Sequence, residues 1–359
     1  MTTTTPINQA KAEAFADTML ETLNRGAIAL MTSIGHRTHL FDTMADLPPA
    51  NSQQIADVAG LQERYVREWL GAMVTGGIIE HDPDNDTYHL PAEHAAALTR
   101  EASPDNVAAF AQYIPLLGAV EDQIVDCFRE GGGVPYSAYT RFHQVMAEDS
   151  GQTVVAALVD HILPLVPGLT AKLQQGINVM DVGCGSGRAL NTMAQAFPHS
   201  RFIGYDISET AIATAQADAQ AQNLSNVQFQ VKDAATLEAT AAYDLITTFD
   251  AVHDQAHPQT VLNNIARALK PDGIYLMQDI RASSHVHGNL EHPAGPLLYT
   301  ISCMHCTSVS LAMGGPGLGA MWGQEKALEM LEAAGFEQIE VKQLCHDFQN
   351  SYYLARKLG

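Results

Sequence analysis

Residues 179–190 read VMDVGCGSGRAL: an apolar run, then glycines at 183, 185 and 187, then the start of a helical pattern. A strand that turns into a helix through alternate glycines brings its backbone close to a ligand and leaves the first helical amides free to face it. In doubly wound sheets that ligand lies beyond the carboxyl ends of the strands, where the strand order reverses. The neighbouring sequence has the texture of such a sheet. Short apolar segments, INVMDVG, RFIGYDI, VQFQVKD, YDLITTFDA and GIYLMQDI, alternate with amphipathic helical stretches, which predicts parallel strands joined by right-handed crossovers. QIEVKQL and YYLARK follow a last helix at Glu325–Gly335 and predict an antiparallel edge.

The spacing G-x-G-x-G in DVGCGSG differs from the G-x-G-x-x-G that cradles a pyrophosphate. It resembles motif I of class I S-adenosylmethionine-dependent methyltransferases, and the later strands follow the same order. The resemblance covers about Asn178 to Gly359 and implies a Rossmann-like sheet holding S-adenosylmethionine, with S-adenosylhomocysteine as product. It places Asp181 and Gly183, Gly185 and Gly187 at the cofactor. Asp206, with Ile207, falls at the ribose hydroxyls, and Asp233, with Ala234, at the adenine amino group. Phe249 and Asp250 in TTFDAVHD flank the methionine end.

FHQVMAEDS, Phe142–Ser150, resembles the Phe-Asn-x-x-Met-x-x-x-Ser segment of winged-helix small-molecule O-methyltransferases. A bacterial group of the same layout is similar further in VPYSAY and GGPGLGAMWG. The first likeness implies Met146 near the substrate or methyl group and Ser150 near the cofactor; Tyr136 is further assigned to the cofactor, and Tyr139, His143, Cys303 and Trp322 to the substrate side. An alcohol or phenol acceptor must lose a proton, which calls for a base. His253 stands at the base position of the family's His-Asp-Trp pattern, although Gln255 replaces the Trp and Phe249 a common Lys. Asp279 occupies the place of the acid that orients the imidazole.

O-methylation of a small, largely apolar acceptor is therefore expected. Methylation of sulfur or nitrogen by positioning alone, a metalloid or thiol acceptor at Cys303 and Cys306, and a non-catalytic cofactor-binding regulator are the alternatives. CMHC has no second Cys-x-x-Cys, and LLYTISCMHCTSVSLAM reads as one helix, so packing rather than a metal is expected there.

Upstream, Asn51 or Ser52 can cap a helix ending at Gly60. A second helix spans about Gln62–Thr75, and GIIEHDPDNDTYHL predicts two short strands around a turn. Helix, turn, helix and hairpin predict a mainly helical winged-helix domain over 1–100. A helical linker over 101–170 and a catalytic domain over 171–359 complete the chain. Between Asn51 and Leu90 two arginines face seven acids, and the whole chain of 359 residues carries a formal charge of −21. Such a surface repels nucleic acid and anionic membrane, so the winged helix is expected to serve as a dimerisation element or a substrate lid, with a homodimer through this domain. Five scattered cysteines argue against a disulfide framework. The start MTTTTPINQAKAEAF lacks a signal-peptide pattern, and 153–169 is interrupted by Asp160, His161, Pro164 and Pro167, so a cytoplasmic chain is expected.

Overall fold

The computed structural model describes residues 7–345 and 347–357; the threonine run at 2–5 lies outside them. The chain divides into two compact units after Pro115.

The first unit opens with helix α1 (Gln9–Arg37), capped by the Asn8 side chain, and the short α2 (Leu40–Ala45). Helix α3 (Ser52–Ala59) starts at a reciprocal capping box: Gln54 N–H donates to the Asn51 side chain, and Asn51 N–H donates to that of Gln54. Gly60 ends it in the left-handed region. Helix α4 (Glu63–Thr75) follows, then β1 (Glu80–Asp82) and β2 (Thr87–His89), an antiparallel wing, and α5 (Ala92–Leu98). Ala50 bridges antiparallel to Tyr88 from outside the hairpin. The core gathers Phe41, Ile55, Trp69, Leu70 and Met73. Trp69 meets Phe41 edge to face at 5.3 Å and donates its indole N–H to the Met31 carbonyl at 2.9 Å. Helix and hairpin thus form where the caps and turn residues predict them.

Helix α6 (Tyr113–Gly118) spans the division between the units. Beyond it come α7 (Glu121–Glu130), α8 (Phe142–Ser150), which runs on into a π-turn at Gly151–Val155, and α9 (Leu169–Gln175). The sheet then builds in the expected alternation. Its elements are β3 (Asn178–Val182), α10 (Arg188–Ala196), β4 (Arg201–Asp206), α11 (Glu209–Ala221), β5 (Val227–Val231), β6 (Tyr243–Phe249), α12 (Pro258–Ala268) and β7 (Leu269–Ile280). Helices α13 (Gly295–Ile301) and α14 (Thr307–Ala312) are joined by a π-turn, Ser302–Cys306, so the single helix predicted over CMHC is continuous but changes pitch. Helix α15 (Gly323–Ala333), β8 (Gln338–Lys342) and β9 (Asn350–Arg356) close the unit.

The sheet order is β5-β4-β3-β6-β7-β9-β8. Every pair from β5 to β7 is parallel, and β9 inserts antiparallel between β7 and β8. The order reverses between β3 and β6, so the turns after these strands open the crevice that the glycine run predicts. Among the described residues no helix is long and apolar enough to cross a membrane.

Gly187, the N-cap of α10, has φ +71°. A Cβ there would lie 2.5 Å from the Phe229 ring and 2.7 Å from Ala215 Cβ. Gly187→Ala should therefore destabilise the second unit by about 1–3 kcal/mol through strain and overpacking, read as a lower denaturant midpoint by circular dichroism; an unchanged midpoint would show that α11 and β5 yield to it.

Candidate active site

The turn Gly183–Gly187 is pinned from the next strand. The Gly183 and Cys184 amides donate to the Tyr205 carbonyl, and the Gly185 amide donates to Asp206 Oδ2 at 2.9 Å. The other Asp206 oxygen accepts the Ser208 amide. Asp206 thus fixes the glycine turn while each oxygen keeps a free lone pair. At Gly185 φ is +52° and a Cβ would meet nothing within 4 Å, so this part of the turn faces open space.

That space is a cleft lined by His143, Met146, Ala147, Ser150 and Val154 on one side. Asp181, residues 183–186, Arg188, Ala189, Phe249 and Asp250 form the other. The Arg188 guanidinium donates to the Ala147 carbonyl, tying the end of α8 to the start of α10. Asp181 is 2% exposed, accepts the Thr247 hydroxyl at 2.7 Å, and is pushed up to about 7 by burial. Asp250 has φ +49° and a buried Oδ1 with no hydrogen-bond partner. Burial, then the charge of Asp279, raises its pKa. An open glycine turn beside buried Asp181 and half-buried Asp250, whose Oδ1 is unmatched, fits a cationic ligand that also exposes hydroxyls. Asp206, Ile207, Asp233 and Ala234 are absent from the cleft wall and stand at the ends of the next two strands. Asp233 there caps the turn Ala234–Thr236.

A second group lies at the ends of β6 and β7. His253 Nδ1 and Asp279 Oδ1 are 2.8 Å apart, with both side chains buried. Asp279 Oδ1 also accepts the Trp322 indole N–H at 3.0 Å and the Ile280 amide at 2.8 Å, while Oδ2 has no partner. Burial alone would drive the His253 imidazole down. The adjacent Asp279 carboxylate, its hydrogen bond and Cys306 outweigh this and hold the pKa well above the ordinary value.

The other expected contacts are placed differently from one another. Tyr136 donates its hydroxyl to Asp254, Tyr139 donates to the Met304 carbonyl, and exposed His143 pairs with the Ser208 hydroxyl at 3.2 Å. Trp322 is a buried support for Asp279. Cys303 is exposed, and Cys306 is the cysteine buried against His253. The Ser302–Cys306 π-turn separates two positions that a regular helix would align. Asp254 was not singled out from the sequence although it belongs to the quoted His-Asp pattern, and Cys306 entered only as a partner of Cys303 in CMHC. Among the described residues, three metal-donor atoms come within 4.8 Å of one another at Asp250, His253 and Asp279, a set that includes neither cysteine.

Residues 173–335 match the family model described as a methyltransferase domain, and residues 26–100 that of the Rv2258c-like winged HTH domain. The chain thus joins a winged-helix domain to an S-adenosylmethionine-dependent methyltransferase domain. Malonyl-(acyl-carrier protein) O-methyltransferase of Bacillus cereus is 33% identical over 100 residues, which are 28% of this chain and 36% of that protein. Ubiquinone biosynthesis O-methyltransferase of Coxiella burnetii is 26% identical over 52% of this chain and 74% of its own length. The fold resembles that of human N-acetylserotonin methyltransferase in complex with SAM (TM-score 0.69, 18% identity, 99% of each chain). It also resembles that of mitomycin 7-O-methyltransferase (TM-score 0.70, 18% identity, 97% of this chain and 100% of the other).

Asp181 supplies a stability test. Between the ordinary carboxyl pKa of 3.8 and the folded value of about 7, folding must take up a proton. Stability due to this group is therefore present at low pH and lost as pH rises through that window, at up to about 1.4 kcal/mol per pH unit. Asp181→Asn removes the penalty. In chemical denaturation its advantage over the parent should be near zero at pH 4, grow to about 1–3 kcal/mol by pH 7 and then level. A pH-independent difference would mean that Asp181 stays ionised in the fold.

Proposed function

We propose that this methyltransferase methylates an oxygen of a small acceptor, with His253 as general base and Asp279 as the group that orients it. The buried His253–Asp279 bond beside the cofactor cleft carries this reading. Bound S-adenosylmethionine supplies a methyl carbon on a positively charged sulfur. Asp206 would hold its ribose hydroxyls, Asp233 its adenine amino group, and Asp181 and Asp250 its cationic end. Asp279, anchored by Trp322 and the Ile280 amide, fixes the tautomer in which His253 Nδ1 carries hydrogen and Nε2 accepts it. His253 Nε2 would take the acceptor hydroxyl proton, leaving the oxygen able to accept the methyl group that bound S-adenosylmethionine would supply, with the sulfide as leaving group. Burial of the pair keeps water from competing for the methyl carbon. The relatives' names, both O-methyltransferases, support oxygen over sulfur or nitrogen.

A base whose pKa lies well above 6.5 is protonated at neutral pH and gains activity as pH rises. On an O–H acceptor, kcat/KM should climb through a limb above the usual imidazole range. Asp279→Asn should move that limb to lower pH and reduce kcat by about 10²–10⁴-fold. His253→Ala should abolish the limb while calorimetric binding of S-adenosylhomocysteine is kept. Parent-like turnover by His253→Ala would leave transfer by positioning alone.

We also infer a homodimer through the first unit. Phe15, Met19, Leu23, Leu30 and Ile34 follow one another at helical spacing along α1 and are exposed, Phe15 and Leu23 by 65% and 68%. Nucleic acid is disfavoured at α4, where Arg64 pairs with Glu68 and Arg67 with Glu63. Light scattering should give twice the chain mass for the parent and the single mass for Phe15→Asp/Leu23→Asp; a variant that stays dimeric would place the interface elsewhere.

A further inference from the structure

Asp250, His253 and Asp279 each bring one metal-donor atom within 4.8 Å of those of the other two. They stand at the carboxyl ends of β6 and β7, which the parallel register sets side by side. Two of the acid oxygens have nothing to bond. Asp279 has no exposed surface and its Oδ2 has no hydrogen-bond partner, while Asp250 Oδ1 is buried and equally unmatched. Among the described residues, the pair of Asp279 with His253 is the only ion pair that either acid makes.

A buried acceptor left unmatched costs about 1–3 kcal/mol, and more when it is charged. Two carboxylates in one small volume also repel each other. The cofactor answers part of this: Asp250 lines the cleft where the cationic end would lie, but Asp279 is absent from the cleft wall. The Asp279 oxygen therefore calls for a partner small enough to pass Asp250 and lodge between the strand ends. A bare cation is such a partner, and half-buried Asp250 gives it a way in from the cleft.

The donor set selects the ion. Two carboxylates cancel a double positive charge, and an imidazole favours zinc, cobalt, nickel and copper over magnesium or calcium. Magnesium also keeps several of its waters, which suits poorly two side chains that solvent barely touches, His253 and Asp279. Zinc accepts as few as four donors, three of them from protein, at about 2.0–2.2 Å. Rotation of the half-buried Asp250 side chain brings the three donors to that range.

We propose that Asp250, His253 and Asp279 bind a zinc-type divalent cation, which inhibits the enzyme by taking the imidazole lone pair that faces Asp279. The binding site stands on its own, whereas the inhibition rests on the reading of His253 as base. The ion displaces the hydrogen of His253 Nδ1, which moves to Nε2, or to solvent where Nε2 already carries one. With hydrogen on Nε2, the ring can no longer take a proton from an acceptor hydroxyl.

Cobalt(II) is the probe, because its visible absorption reports how its ligands are arranged. Titrated into the full chain without cofactor, it should bind as one ion per chain, about 10-fold or more tighter than magnesium by calorimetry, with the strong visible bands of a four-coordinate ion. His253→Ala and Asp250→Ala should each weaken binding by about 10-fold or more and lose the bands. Exposed His285 and His287, whose rings stack at 5.5 Å, are the competing surface pair, and His285→Ala/His287→Ala should change neither. Saturating cobalt should slow turnover of an O–H acceptor by about 10²-fold or more, and a chelator should restore it. Absent bands, an affinity no better than that for magnesium, parent-like binding by the His253 and Asp250 variants, or binding lost with His285 and His287 would overturn the site. If His253→Ala loses its fold by circular dichroism, Asp250→Ala is read by the same criteria. An ion bound here by these criteria that leaves turnover unchanged would keep the site and refute His253 as base instead.

Discussion

A carboxylate with no exposed surface, Asp279, sets the arrangement around it. A buried charge is tolerated only when donors surround it, and three converge on one of its oxygens from different parts of the chain. They are the His253 ring after β6, the Trp322 indole at the start of α15, and the amide of Ile280 on its own strand. Through these bonds one residue of β7 fixes the ring after the neighbouring strand and the entry of the last helix. The second oxygen is unmatched, so the group keeps an unspent acceptor facing the same small volume as Asp250.

Much of this was legible because it is local. The strands are short apolar runs set between helical stretches, and Asn51, Gln54 and Gly60 mark the bounds of α3 through backbone bonds a few residues long. The glycine run announces the crevice because only a tight turn with positive φ needs glycines there. His253 and Asp279 were also within reach through the family likeness, since His253 follows β6, Asp279 lies at the carboxyl end of β7, and parallel strands in register bring their ends together.

Other features depend on pairings distant in sequence. Nothing near Trp322 says that its N–H will meet an acid 43 residues upstream. The exchange of Cys303 for Cys306 comes from the pitch change in the π-turn, which no apolar periodicity reports. His305 reads as an ordinary helix residue until Tyr136, Tyr139 and Phe142 close around it from a segment more than a hundred residues earlier. Propensity fixes elements well, but side-chain destinations at the substrate side are set by how helices without strand register settle on the sheet.

The place of β9 bears on how the second unit is made. It is the last strand in chain order, yet it lies inside the sheet, with β7 on one flank and β8 on the other. While the chain is being synthesised, the long buried strand β7 has one edge unpaired and β8 has nothing to dock on until residues 350–356 emerge. The nascent unit therefore carries an open, apolar β-edge from the completion of β7 at Ile280 until that segment emerges, a state prone to pairing with the wrong chain. Ser351 meets Asp279 directly across this final pairing, so the strand that closes the sheet also flanks Asp279.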